Sequence, residues 1–435
     1  MSSGKIGQNV RDIGRPGSGQ ELAILVIATL DTKRDDIAYL AGVIERFGAR
    51  CIVMDTSTRE GEAELAAVEL ISRADVARAA GTTIAAVAAM VRGDAVAKIR
   101  AGVESLTTEL ARSGVISGAV CVGGAGAHVA GPAFQALALG FPKLVVSPLA
   151  SGIRTFEPYV GLRDVAVLHS VADIAGVNSV TSRIYREAAG YIVGAARAFS
   201  EDGAGPQLAP AIAFSMNGNT TRALMRAQEL LQRRGMSCVA FHANGVGGRA
   251  LEDFVASGQA VGVLDYTTTE LAARLVGGLM DPGPERMEAA GRRGIPQVLV
   301  PGCVDFITCG RWEEAEREFP GRPLFRHNPE LTLVRLNRDE MRQMGELFAQ
   351  KANLAIGPTV ICVPTRGSLA QREERPVEAR EVPVRFRGEP RKHPKVPRRT
   401  RLTAKTTALQ AVYRGSIPRY GSQAPLAQLA RATDS

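Results

Sequence analysis

At 435 residues the chain is long for one hydrophobic core and predicts two or three domains. It is 45% hydrophobic but only 5% aromatic, an Ala/Val/Leu/Gly-rich composition that suits α/β layers better than an aromatic-cored sandwich. The net charge of +9 is not spread evenly: residues 366–435 hold 16 Lys and Arg against 6 Asp and Glu, leaving residues 1–365 at −1 and arguing against nucleic acid as a partner of the body.

The opening MSSGKIGQNVRDIGRPGSGQ is polar and Gly-rich, without the apolar core of a signal peptide, and predicts a flexible arm over residues 1–20. No apolar run approaches the roughly 20 residues of a membrane span. Six scattered cysteines, most inside apolar runs, read as buried free thiols of a cytoplasmic protein. Ala23–Thr29 predicts a strand and Lys33–Phe47 a helix. Cys51–Met54 is the next strand, followed by helical stretches around Gly61–Met90 and Asp94–Ser113. Gly118–Val122 then runs into Gly123, Gly124, Ala125 and Gly126, and a further strand covers Leu144–Val146. The amphipathic stretch Val171–Phe199 leads to a linker at 201–210.

After the linker the pattern restarts. AILVIATLDTKRDDIAYLAGVIERFGARCIVMD and AIAFSMNGNTTRALMRAQELLQRRGMSCVAFH are each a strand, a polar turn, a helix and a strand entered through Cys. The expected fold is two Rossmann-like, doubly wound parallel-sheet domains, 21–200 and 211–365, sharing a cleft. From residue 366 an Arg- and Pro-rich segment lacks any sustained period and predicts a disordered basic tail. The abrupt change of texture near Pro364–Arg366 is what a slipped reading frame would produce.

Two glycine turns are the candidate anion cradles, because bare amides after a strand can face a phosphate. Gly123, Gly124 and Gly126 form the first, which matches neither the Walker pattern nor G-x-G-x-x-G. The second, FHANGVGGRALEDF, places Gly245, Gly247 and Ala250 in G-x-G-x-x-A spacing, with Gly248 and Arg249 beside them and Asp265 20 positions after Gly245. Three polar turns also follow strands: Asp31-Thr32-Lys33; Ser147 to Ser151 and Gly152; and Thr267-Thr268-Thr269-Glu270. The last also reads as a capping box of Thr267 with Glu270, and Asp31 as an N-cap. Asp31 and Asp265 are the carboxylates for a metal, with Lys33 or Arg249 to balance phosphate charge. No second His or Cys stands at zinc-ligand spacing, and no Gly-x-Ser-x-Gly elbow is present.

TLDTKxxxIAYL, the GGAG turn, PKLVVSPLASG and PYVGLRDVAVLHSVADIAGVN resemble the N-terminal half of the Tm-1-like ATP-binding (UPF0261) family. FHANGVGGRALEDF, GVLDYTTTELAARLVGG, AAGRRGIPQVLVPGCVDF and HNPELTLVRLN resemble its C-terminal half, so the match covers about residues 21–365. The resemblance implies ATP with Mg²⁺ as cofactors, self-association into a homodimer or larger homo-oligomer, and no assigned reaction. The plant member also carries a TIM-barrel domain, which implies a separate barrel partner for stand-alone versions. At the first turn the family runs on with more Gly and a Thr, where this chain has Ala127 and His128. Three readings follow: a Mg-dependent nucleotide-binding protein, active on an unnamed small molecule; a nucleotide-binding module without chemistry; and a nicotinamide-dependent oxidoreductase using Gly245, Gly247, Ala250 and Asp265.

Overall fold

Ala23–Ala28 (β1) is apolar at all six positions because both of its faces are covered. Ile24 and Val26 pack with helices Leu30–Arg46 and Thr181–Glu201 on one side. Leu25 and Ile27 pack with helices Arg73–Ala79, Arg92–Arg112 and Gly131–Ala136 on the other. The computed structural model describes residues 21–61, 64–65, 68–150, 157–201 and 210–364. The expected arm, most of the linker, the basic tail, and Ser151 and Gly152 lie outside the described residues. The chain divides into two compact units, Met1–Gln207 and Leu208–Ser435.

In the first unit β1 is joined by β2 (Arg50–Asp55), β3 (Glu69–Ile71), β4 (Gly118–Val122), β5 (Lys143–Ser147) and β6 (Ala166–His169). They form one parallel sheet in the order β3-β2-β1-β4-β5-β6, a doubly wound order with its switch point between β1 and β4. The stretch expected to be helical over Gly61–Met90 instead holds the edge strand β3 and two short helices, Arg73–Ala79 and Ile84–Ala88. Local side chains explain the break. Ser72 and Asp75 form a capping box, and the Thr83 hydroxyl accepts from the Ala86 amide, so the helix is started twice.

The second unit contains β7 (Ala211–Met216), β8 (Ser237–His242), β9 (Ala260–Thr267), β10 (Gln297–Gly302), β11 (Phe306–Cys309), β12 (Leu324–Arg326), β13 (Thr332–Arg335) and β14 (Thr359–Ile361). Its parallel sheet has the order β14-β10-β9-β7-β8. With β3 set aside as an added edge, β1, β2, β4, β5 and β6 correspond in order to β7, β8, β9, β10 and β14. The repeat seen in the sequence therefore extends to the topology. Between β10 and β14 the chain adds an antiparallel sheet, β11-β13-β12, that periodicity did not reveal. In this alignment the two glycine turns are not equivalent: the first follows β4, the third strand of its repeat, and the second follows β8, the second strand.

Candidate functional site

Ligands of open α/β sheets bind beyond the carboxyl ends of the strands, at the switch point. In the first unit the segments leaving β1, β2 and β4 meet there. Thr29, just after β1, has its Oγ1 3.4 Å from Thr56 Oγ1 beyond β2. A Cβ placed on Gly126 would stand 3.4 Å from the same Thr29 oxygen. The first glycine turn thus approaches Thr29 with bare backbone, and no side chain caps the 3-10 helix Ala125–Ala130 that continues it. Ala125 and Gly126 are exposed.

Asp55 organises the floor. Its Oδ1 accepts from Leu30 N (3.1 Å), Ser57 N (3.0 Å) and Ser57 Oγ (2.6 Å), and its Oδ2 accepts from Arg73 Nε (2.7 Å). A carboxylate from the neighbouring strand therefore satisfies the first helical amide, and Ser57 Oγ takes the Asp31 amide at 3.2 Å. The N-cap position is Thr29, not Asp31; Asp31 sits in the first turn with its side chain exposed, as is that of Thr32. Lys33 breaks the helical dihedrals (φ −134°, ψ 21°), and its ammonium donates to the Ile174 carbonyl at 2.9 Å.

The second glycine turn already holds an anion. Glu270 Oε1 accepts from Gly245 N at 2.6 Å and Gly248 N at 3.0 Å, and its Oε2 accepts from Arg286 Nε at 2.6 Å. Each fingerprint glycine has an internal reason. Gly245 has φ +88°, a Cβ on Gly247 would stand 1.9 Å from the His242 carbonyl oxygen, and one on Gly248 would stand 2.2 Å from Glu270 Oε2. Arg249 lies half-buried on helix Val246–Ala256. Asp265, expected to meet a ribose or a metal, is gripped by Arg286 through Nη1 (2.5 Å) and Nη2 (2.7 Å), and its Oδ1 accepts from Ser215 Oγ at 2.6 Å.

Arg286 is fully buried among Asp265, Glu270 and Glu252. Burial by itself would lower its pKa, but Asp265 and Glu270 hold it well above the ordinary value. Glu252 accepts from the amides of Met287, Glu288 and Ala289, yet burial pushes its carboxyl up. The threonines at and beyond the end of β9 are bonded inward. Thr267 and Thr220 hydroxyls meet at 2.7 Å, Thr268 donates to Val300 O (3.0 Å) and Thr269 to Phe306 O (3.3 Å). The capping box expected of Thr267 and Glu270 is not formed: helix Thr269–Val276 starts after Thr268 with no side-chain cap, because Glu270 is drawn to Gly245 and Arg286.

Among the described residues, no group of three or more His, Cys, Asp and Glu is arranged to hold a metal, and no helix is long and apolar enough to cross a membrane. Asp31 and Asp265 belong to different units. His169 bonds the Pro148 carbonyl at 3.2 Å, and His242 and His327 are exposed. The His128 and Tyr159 rings are in tilted contact, with centroids 4.7 Å apart and planes inclined by 49°. None of the six cysteines is in a disulfide, and four of them are buried. Sequence reasoning passed over Asp55, Thr56 and Ser57, although a polar triplet after a strand was a usable signal. Arg286 had none, since it stands between Glu285 and Met287 in a stretch that reads as surface loop.

Residues 22–201 match the N-terminal domain profile, and residues 209–393 the C-terminal domain profile, of an uncharacterised protein family, UPF0261. A UPF0261 protein of Clostridium tetani is 37% identical over 346 residues, covering 79% of this chain and 84% of its own. The chain belongs to the UPF0261 family. The tomato ToMV susceptible protein tm-1(GCR26) is 30% identical over 364 residues, and the match spans 79% of this UPF0261 chain but 48% of the plant protein. Among solved structures, the UDP-N-acetylglucosamine 2-epimerase of Rickettsia bellii matches 64% of this chain and 78% of its own at 10% identity, with a TM-score of 0.24.

Proposed function

We propose that this chain binds a nucleotide, ATP with Mg²⁺, by its phosphates at the Gly123–Gly126 turn of the first unit. The observation that carries the reading is the contrast between the two glycine turns. At the second, Glu270 already takes the amides of Gly245 and Gly248, and both oxygens of Asp265 are engaged. At the first, no side chain caps the turn, Gly126 faces the Thr29 hydroxyl without a Cβ between, and the site stands at a switch point. The fit to phosphate is therefore better in the first unit. Asp31 and Thr32, exposed in the turn after β1, are the groups there suited to Mg²⁺. The engaged state of Asp265 removes support from the nicotinamide reading.

Calorimetric titration of the full-length protein with ATP, with and without Mg²⁺, tests this. Saturable, Mg-dependent binding is expected, weakened about ten-fold or more by Gly126→Val. No saturable heat from folded protein, or undiminished binding by Gly126→Val, would overturn it. Phosphate release measured on the same samples separates an enzyme from a binding module without chemistry.

A further inference from the structure

Helix Arg92–Arg112 packs across the 3-10 helix Ala125–Ala130 and helix Gly131–Ala136, which brings the charge of Arg100 to bear on His128. Two buried polar atoms there, Tyr159 Oη and Arg100 Nε, have no partner at hydrogen-bond geometry. The Tyr159 side chain is fully buried against His128, and its hydroxyl has no hydrogen-bond partner among the described residues. Arg100 Nε is likewise buried and unpartnered. Ser147, the hydroxyl neighbour of Tyr159 at the end of β5, already accepts from Leu149 N at 3.1 Å.

The chemistry of these groups is one-sided. Burial raises the Tyr159 phenol, so it stays a donor, with the Ser147 hydroxyl working only partly against that shift. Burial, and then Arg100, lowers the His128 pKa, so its ring is neutral near pH 7 and offers one N–H. Arg100 Nε, buried and unpartnered on the helix packed against Ala125–Ala130, adds a further N–H. Native proteins rarely leave buried donors unpaired, and where they do, a water or a ligand commonly supplies the acceptor.

We propose that Tyr159, Arg100 and His128 form an oxyanion subsite beside the Gly123–Gly126 turn, taking the carboxylate or phosphate group of a small co-substrate. That it serves a co-substrate rests on the nucleotide reading; that it binds an oxyanion does not.

The test titrates the full-length protein with inorganic phosphate and, separately, with malonate, alongside Tyr159→Phe, Arg100→Gln and Gly126→Val. One of the probes should bind saturably, weakened about ten-fold or more by Tyr159→Phe and by Arg100→Gln but retained by Gly126→Val. Tyr159→Phe removes a hydroxyl that has only the Ser147 hydroxyl beside it and no partner at full hydrogen-bond geometry, so its thermal unfolding should stay close to that of the parent. Phosphate alone assigns a phosphoryl group and malonate alone a carboxylate. Saturation by neither probe overturns the proposal. So does binding left unchanged by either substitution, the result expected if a buried water satisfies the phenol. Probe binding without ATP binding would retire the nucleotide reading and keep the subsite; ATP binding without either probe would do the reverse.

Discussion

Glu270 fills the space that any side chain at position 248 would need, since a Cβ on Gly248 would stand 2.2 Å from Glu270 Oε2. The carboxylate cannot step aside without leaving the Gly245 amide and Arg286. Gly248→Ala should therefore destabilise the protein by about 1–3 kcal/mol, as overpacking of a filled site does. Gly218→Ala, where an added Cβ meets nothing within 4 Å, should stay within about 0.5 kcal/mol of the parent. Urea unfolding of the two variants gives the comparison, and equal midpoints would mean that Glu270 relocates freely.

Removing Arg286 exposes three carboxylates to one another. Arg286→Met should cost about 3–5 kcal/mol, because the buried charges of Asp265 and Glu270 lose their partner. Arg286→Lys should recover little of that loss, since one ammonium cannot reproduce the paired bonds to Asp265 together with the Nε bond to Glu270. Thermal unfolding of both variants checks this, and a fully stable lysine variant would show that charge alone matters.

Burial raises the Glu252 carboxyl above its ordinary value of 4.5. The folded state thus binds the Glu252 proton more tightly than the unfolded chain does. Its contribution is fully present below the unfolded pKa and is lost as pH rises through the folded one. The stability difference between the parent and Glu252→Gln should therefore shift against the parent as pH rises from 4.5. Denaturant midpoints across a pH series measure it; a difference moving the other way would reverse the sign assigned to burial.

Burial pushes the Cys51 and Cys121 thiols up to about 12, with Glu45 adding to the effect at Cys51. At pH 8 both should resist iodoacetamide in the native protein, while the half-buried Cys238 and Cys362 are modified first. Peptide mass spectrometry after timed labelling reads the order. Native labelling of Cys121 at the rate of a free thiol would mean that the first sheet opens readily.

Much of the architecture was legible in the chain. Ala23–Thr29 and Gly118–Val122 read as strands because their apolar runs end at polar or glycine turns, and the structure places Ala23–Ala28 and Gly118–Val122 side by side as β1 and β4. The failures were local. The capping side chains Ser72 and Thr83 overrode the helical period of 61–90. The short strands Leu324–Arg326 and Thr332–Arg335 are stabilised by pairing with each other and with β11, which no window of sequence displays. The G-x-G-x-x-A spacing was real as well, but glycine records only that something comes close. It does not say whether that something is a ligand or a carboxylate of the same chain.

By itself the sequence determined the α/β class, the repeat and the family, because periodicity, turn residues and motif order are properties of neighbours along the chain. Only the tertiary structure decided which charges were already spent. Glu270 reaches Gly245 across 25 positions and Arg286 reaches Asp265 across 21. A buried charge must find its partner wherever the fold brings one, at whatever separation along the chain.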